Sequence, residues 1–170
     1  VYPVRLAKFI EQIRAKYPNI KICGSSGPSA SGDKFDYGWA EMRKLGVDLV
    51  DEHYYMAPDW FLKNAGRYDN YPRTGPKVFA GEYASHMPGV KAPTVAMNNF
   101  AAALSEAAFM TGLERNADVV YQATYAPTLR SCRRLAMASR PHLVQQPRVC
   151  TLRQLVCANA LWHQPRHQHA

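Results

Sequence analysis

The chain has 170 residues, of which 47% are hydrophobic, and a formal net charge of +8. This length provides one hydrophobic core of ordinary size. No apolar run approaches the roughly 20 residues of a membrane-spanning helix, and no secretion-signal pattern stands at the start. The sequence begins at Val1 and passes directly into a helix-like pattern, so we expect it to be part of a longer protein.

The positive charge is confined to the last quarter of the chain. All 13 acidic residues lie at or before Asp118, whereas residues 128–170 contain seven of the 21 basic residues, all of them Arg. Residues 1–127 therefore carry 14 basic and 13 acidic groups and are nearly neutral. Three of the four cysteines and four of the six histidines also lie after residue 127. The composition thus divides the chain into two unlike parts.

Helical and strand patterns alternate along the first part. Apolar periodicity, Pro18 and the turn residues predict helices at 2–17, 37–45, from 58, and from Thr94 to Gly112, with strands near 20–23, 47–53, 77–82 and 118–122. Such alternation is typical of parallel βα units, as in a (β/α)8 barrel or an open doubly wound sheet. A complete (β/α)8 barrel needs about 250 residues. The four predicted strands and their helices, an α/β pattern, would therefore form about half of such a barrel.

The third predicted strand ends in a single carboxylate. Because side chains alternate along a strand, we expect Val78, Ala80 and Glu82 on one face and Phe79 and Gly81 on the other. A charge at the end of such an apolar run is costly unless it is paired. The pattern is compatible with an ion pair to Arg or Lys at the sheet edge and, equally, with a catalytic role.

The second predicted strand places chemically active groups beside that carboxylate. By the same alternation, Asp51, His53 and Tyr55 share one face, while Glu52 and Tyr54 share the other. An acid, an imidazole and a phenol together suit sugar binding and proton transfer, and the phenol of Tyr55 can hold a nearby carboxylate ionised, as a nucleophile requires.

Three other interpretations of this strand stay open. His53 can be a core histidine bonded to Asp51 or to a backbone carbonyl. Tyr54 and Tyr55 can simply pack at the rim of the barrel. A metal site built from Asp51, His53 and Glu82 is also conceivable, although no recognised ligand spacing supports it.

Longer motifs carry a resemblance to a known family. They are Asp51-Glu52-His53-Tyr54-Tyr55, Trp60-Phe61, and residues 67–71, 75–84, 106–116 and 125–127. Together they resemble the α-L-arabinofuranosidases of glycoside hydrolase family 51 over residues 2–127. The resemblance implies about strands 5 to 8 of a (β/α)8 catalytic barrel. It also implies retaining removal of terminal arabinofuranosyl groups from arabinoxylan, arabinan and related cell-wall polymers.

The family's functional residues are carried over where the motifs match. Glu82 matches the catalytic nucleophile, and His53 and Tyr55 match the residues that hold the sugar and the nucleophile. The family's general acid/base is a Glu that directly follows an Asn, and this sequence contains no Asn-Glu pair. We therefore expect the chain alone to be inactive. The resemblance implies no cofactor, no metal, no specific nucleic acid and no membrane partner; a secreted location is compatible with the parent enzyme.

The family pattern ends after Pro127. A one-base change of reading frame over residues 134–153 can restore the sequence expected next in the family, so we interpret residues 128–170 as a frameshifted, disordered basic tail without a core of its own. The alternative is a non-enzymatic module that binds carbohydrate or polyanions through this tail. A zinc knuckle can be drawn from Cys150, Cys157, His163, His167 and His169, but the spacing does not match a known finger closely.

Overall fold

A computed structural model describes residues 1–86 and 99–125, together with the backbone of three short segments at 129–131, 142–145 and 148–151. In chain order, the elements of the first part are α1 (Tyr2–Lys16), β1 (Cys23–Ser25), α2 (Asp33–Leu45), β2 (Leu49–Met56), α3 (Pro58–Lys63), β3 (Lys77–Ser85), α4 (Phe100–Arg115) and β4 (Val120–Ala123). Within the described ranges, no helix is long and apolar enough to cross a membrane.

The four strands form one parallel sheet in the order β1-β2-β3-β4. This confirms the α/β prediction and the parallel pairing. The first strand lies later than predicted, since it begins at Cys23. The Ile22 N–H donates to Asp48 Oδ2 at 2.9 Å, so only the Ile22 carbonyl oxygen bonds to the backbone of the next strand, where it accepts from the Leu49 N–H at 3.0 Å.

Two helix boundaries also differ from the predictions. Helix α2 begins at Asp33 rather than at residue 37, with Asp33 and Asp36 in its first turn, where the helix dipole favours negative charge. The predicted helix end at Gly112 is wrong, because α4 continues to Arg115. A Cβ on residue 112 would lie 1.8 Å from the Ala65 carbonyl oxygen, so glycine here permits close packing rather than ending the helix.

Helix α4 begins with a side-chain cap. Asn99 Oδ1 accepts a hydrogen bond from the Ala102 N–H at 2.9 Å, which satisfies one of the free donors of the first turn. The predicted cap, Thr94, lies outside the described residues.

The hydrophobic core packs the helices against one face of the sheet. Val50 of β2 and Val78 of β3 are fully buried, together with Met42, Phe61 and Phe109 from three different helices. Alternate residues of β2 are only partly buried. The opposite face of β2 is therefore more accessible, and it carries Asp51, His53 and Tyr55.

The basic tail contains three described strands, β5 (Leu129–Ser131), β6 (His142–Gln145) and β7 (Arg148–Thr151). They form a second sheet, in which β5 and β6 are parallel and β6 and β7 antiparallel. Of the possible knuckle residues, Cys150 lies on β7, and the other four lie outside the described residues. The expectation of a disordered tail without its own core stays a prediction.

Candidate active site

The site forms where β2 and β3 end, at a break in their register. Glu52 pairs with Ala80, but the next residue, His53, pairs with Glu82, so Gly81 is an extra residue in β3. Such a β-bulge re-aims the side chains that follow it and is frequent beside active sites. Here it brings Glu82 opposite His53.

The bulge overturns one sequence prediction. Glu82 does not share a face with Val78 and Ala80, since those residues are fully buried whereas the Glu82 side chain is 44% exposed. The extra residue shifts the alternation by one position. A Cβ on residue 81 would lie 2.0 Å from Asp51 Oδ1, so the position of the bulge suits only glycine.

The structure brings the three predicted site residues together. Tyr55 Oη donates a hydrogen bond to Glu82 Oε2 at 2.7 Å, and His53 Nδ1 lies 3.7 Å from the same oxygen. Burial and the bond to Glu82 raise the pKa of Tyr55 well above its usual value, so the phenol keeps its proton and acts as a donor. Among the described residues, the partners of Glu82 are thus a phenol and an imidazole, not Arg or Lys at the sheet edge.

The second ring nitrogen of His53 is bound by Asp51. The distance from His53 Nε2 to Asp51 Oδ2 is 2.8 Å, and both side chains are largely buried. Burial raises the pKa of Asp51, while His53 opposes that rise. His53 therefore is bonded to Asp51, as one interpretation of the sequence had it, but only through Nε2. Its other nitrogen, Nδ1, faces Glu82.

His86 is a neighbour of the site that the sequence did not single out. Its ring lies 5.1 Å from that of Tyr55, tilted by 34°, and its backbone N–H donates to the Met56 carbonyl oxygen at 2.7 Å. Burial lowers the pKa of His86. The available signal was its position four residues after Glu82, just beyond the end of β3.

The opposite face of β2 holds a second polar cluster, around Glu52. The alternation predicts this carboxylate on the face opposite to His53, and the structure shows that it is fully buried. It accepts hydrogen bonds from Trp39 Nε1 (2.7 Å), Tyr68 Oη (3.1 Å) and Tyr71 Oη (3.2 Å), and its Oε2 lies 3.4 Å from Arg67 Nε. Burial raises its pKa, and the guanidinium and the three donors oppose that rise.

Arg67 in turn is surrounded by aromatic rings. Its guanidinium carbon lies 5.0 Å from the Tyr54 ring centroid and 5.1 Å from that of Phe35. Cation–π contacts of this kind suit a desolvated arginine. Sequence reasoning missed this cluster, because its members come from separate segments of the chain.

A third buried carboxyl group lies in α4. Glu106 is 3% exposed and accepts hydrogen bonds from the Ser85 N–H at 2.5 Å and from Tyr125 Oη at 3.3 Å. Burial raises its pKa to about 8, and these two donors oppose the rise. Glu106 therefore secures the end of β3, three residues beyond Glu82.

The remaining alternative for these residues is a metal site formed by Asp51, His53 and Glu82. In residues 1–86 and 99–125, no group of three or more His, Cys, Asp or Glu side chains is arranged to hold a metal ion. His53 instead directs Nε2 to the Asp51 carboxylate.

Part of the chain matches a known domain family. Residues 81–152 match the family model described as the α-L-arabinofuranosidase C-terminal domain. The matched range begins within β3 and crosses residue 127. The match therefore gives no boundary between residues 1–127 and residues 128–170, and the domain boundary at residue 127 stays a prediction.

Individual relatives extend the similarity towards the start of the chain. Over 125 residues, the chain is 52% identical to an extracellular exo-α-L-arabinofuranosidase of Streptomyces chartreusis, covering 74% of this chain and 14% of that protein. Over 121 residues, it is 40% identical to α-L-arabinofuranosidase 2 of Arabidopsis thaliana, covering 71% of this chain and 16% of that one. The chain thus spans about one seventh of the length of these curated relatives.

A solved structure agrees with this similarity. The arabinose-bound form of a family 51 α-L-arabinofuranosidase superposes with a TM-score of 0.74 at 30% identity, covering 88% of this chain and 23% of that one. The motifs, the parallel sheet and all three comparisons lead to the same family. The chain belongs to the α-L-arabinofuranosidases of glycoside hydrolase family 51, of which it represents a segment.

Proposed function

We propose that this chain supplies the nucleophile side of a retaining α-L-arabinofuranosidase active site. In this proposal, residues 1–127 are about strands 5 to 8 of a (β/α)8 barrel, and Glu82 is the nucleophile. The observation that carries it is the position of Glu82 at the C-terminal end of a parallel strand, 44% exposed and bonded to Tyr55 at 2.7 Å. Active sites of (β/α)8 barrels lie at this end of the strands.

The geometry around Glu82 suits covalent catalysis. A retaining glycosidase uses one carboxylate to attack the anomeric carbon and form a glycosyl-enzyme, which water then hydrolyses. Tyr55 donates to Oε2 and so stabilises the ionised form of the nucleophile. Within the described part of the chain, the other oxygen, Oε1, has no hydrogen-bond donor, and it is the atom we assign to the attack.

His53 and Tyr55 are the residues we assign to substrate binding. Both side chains lie on the accessible face of β2, next to Glu82. A furanose ring presents several hydroxyl groups, and an imidazole and a phenol are suitable hydrogen-bonding partners for them. The proposed substrates are arabinose-containing polysaccharides or oligosaccharides, cleaved at terminal residues, and the proposed location of the whole enzyme is extracellular, as for the Streptomyces relative.

The second carboxyl group of the mechanism must come from outside this segment. Retaining hydrolysis needs a general acid about 5–5.5 Å from the nucleophile, and such an acid typically contributes 10²–10⁴-fold to the rate. The sequence has no Asn-Glu pair, and Asp51, a described carboxylate that interacts electrostatically with Glu82, is bound to His53. We therefore propose that the chain alone does not hydrolyse arabinan.

A chimera tests the function directly. The segment of this chain that aligns with the Streptomyces enzyme over 125 residues replaces its counterpart there, since 52% identity favours compatible packing. We expect the chimera to hydrolyse arabinan and an aryl arabinofuranoside, and Glu82→Gln to lower kcat by at least about 10³-fold. Glu11→Gln, on the exposed side of α1, is the matched control and should leave the rate unchanged. Full activity of the Glu82→Gln chimera would show that Glu82 is not the nucleophile.

A covalent label identifies the attacking atom independently. An epoxide with the arabinofuranose configuration alkylates a carboxylate nucleophile, and mass spectrometry of peptides from the labelled chimera locates the adduct. We expect it on Glu82 and expect competition by arabinose. An adduct on Asp51 or on another carboxylate contradicts the assignment.

A further inference from the structure

Asp51 is the one charged residue of the site to which neither the resemblance nor the comparisons give a role. It lies on β2 two residues before His53 and on the same face, with its side chain 20% exposed. Oδ2 lies 2.8 Å from His53 Nε2. The other oxygen, Oδ1, is buried against the backbone of Gly81.

This contact determines which nitrogen of His53 carries the proton. An ionised carboxylate only accepts hydrogen bonds, so Nε2 is the donor, and in the neutral ring Nδ1 then keeps its lone pair. Nδ1 faces Glu82 Oε2 at 3.7 Å, too far for a direct hydrogen bond. Two acceptors therefore face each other, and a hydroxyl group brought between them by a sugar can donate to one of them.

We propose that Asp51 is a positioning residue, which holds His53 in the Nε2–H tautomer and so presents Nδ1 as an acceptor for a sugar hydroxyl beside Glu82. The inference rests on the proposed function of Glu82. Asp51 itself does not touch the substrate and acts through the imidazole.

The bulge at Gly81 contributes to the same arrangement of Asp51 and His53. A Cβ at this position would lie 2.0 Å from Asp51 Oδ1 and 3.3 Å from Phe79 Cε1. A side chain there would push the Asp51 carboxylate away from His53. One glycine thus both turns Glu82 towards the site and leaves room for the carboxylate that orients the imidazole.

The tautomer can be observed without any catalysis. ¹⁵N NMR of the imidazole rings, recorded on the full 170-residue chain and on the chimera at a pH where the His53 ring is neutral, separates the two tautomers, and His53→Gln assigns the signal. We expect a protonated Nε2 in the unmodified protein. Asp51→Asn can turn its amide N–H towards Nε2, and Gly81→Ala displaces the carboxylate, so both should abolish the preference. Asp36→Asn, on the exposed face of α2, is the matched control and should leave the spectrum unchanged.

The outcomes separate the two proposals. An Nδ1–H tautomer in the unmodified protein, or an unchanged tautomer in Asp51→Asn, overturns the role of Asp51 whatever the activity. Absence of a covalent label on Glu82, with the tautomer as expected, overturns the proposed function instead.

Kinetics distinguish positioning from general stability. In the chimera, Asp51→Asn should lower kcat/KM by about 10- to 100-fold, the range typical of residues that orient metal-binding histidines. In a His53→Gln background, the same change should have no further effect, because the residue through which Asp51 acts is gone. Additive losses in the double variant would overturn the inference.

Discussion

Glu52 and Glu82 lie on two neighbouring strands, and the surroundings of the two carboxylates differ in burial and in the number of hydrogen-bond donors. Glu52 is fully buried and has three hydrogen-bond donors and a guanidinium as partners. Glu82 is 44% exposed and, among the residues that the structure describes, accepts one hydrogen bond, from Tyr55. The first has no oxygen left for a ligand, whereas the second keeps one oxygen free of described donors.

This contrast shows what distinguishes a structural carboxylate from a functional one. A buried charge is tolerated only when its partners satisfy it, and it then contributes to the packing around it. A carboxylate that must react has to remain accessible, so the protein leaves it partly unsatisfied. The number of donors around each group, rather than its residue type or its place on a strand, separates the two roles.

The largest effect on stability is expected at Glu52. Glu52→Gln leaves Arg67, whose side chain is 11% exposed, without its anionic partner. Breaking a buried ion pair from one side typically costs about 3–5 kcal/mol. We expect a loss of this size in the free energy of unfolding, measured by urea denaturation.

Glu11→Gln serves as the control for this change, since it makes the same substitution on an exposed helix surface. It should alter the free energy of unfolding by less than about 0.5 kcal/mol. If both variants unfold at the same urea concentration as the unmodified chain, the Glu52 cluster does not stabilise the fold, and the contrast with Glu82 is lost.

The next effect concerns Glu106 and depends on pH. Burial raises its pKa from 4.5 to about 8, so between these values the folded state holds a proton that the unfolded state has released. The contribution of this group to stability is therefore complete below pH 4.5, decreases as the pH rises, and is constant above pH 8. The expected loss across this window is on the order of a few kcal/mol.

Glu106→Gln tests this pH dependence. The amide oxygen can still accept the hydrogen bond from the Ser85 N–H, but it does not titrate. Urea unfolding at pH 5 and pH 8 should show a smaller difference for this variant than for the unmodified chain. Glu114→Gln, exposed on the same helix, should keep the full difference; an equal pH dependence in all three proteins would refute the assignment.

The sequence predicted much of this arrangement correctly. The alternation of patterns predicted the parallel strands, and the period of two placed Asp51, His53 and Tyr55 together, because both signals are local. The Gly81 bulge escaped prediction, since it is a feature of how β3 pairs with β2. A register shift of this kind has no local signature beyond a glycine in a strand.

The partners of Glu52 escaped prediction for a related reason. Trp39 comes from α2, and Tyr68 and Tyr71 follow α3, so the cluster exists only after these segments have packed on the sheet. Hydrophobic periodicity identifies such residues as core but does not tell which polar atoms meet. The difference between the two carboxylates is therefore a tertiary property.

A smaller effect is expected for the hydrogen bond to Glu82. Tyr55→Phe removes one partly buried donor and leaves the ring in contact with His86. The free energy of unfolding should fall by about 1 kcal/mol, a typical value for one hydrogen bond. Activity in the chimera should fall more than stability does, because the nucleophile loses the donor that stabilises its ionised form. An unchanged kcat would show that Tyr55 does not support the nucleophile.

The smallest effect on stability is expected at Glu82 itself, although the effect on activity is the largest. Its side chain is partly exposed, and the negative charge of Glu82 raises the pKa of Asp51, so the two carboxylates repel each other. Glu82→Gln removes that repulsion and keeps an oxygen that can accept the hydrogen bond from Tyr55. The free energy of unfolding should therefore stay within about 0.5 kcal/mol of the unmodified value or rise slightly. Residues kept for function often cost stability, and urea denaturation of the Glu52→Gln and Glu82→Gln variants side by side measures the contrast. A loss of several kcal/mol in Glu82→Gln would place this carboxylate with Glu52 among the structural ones.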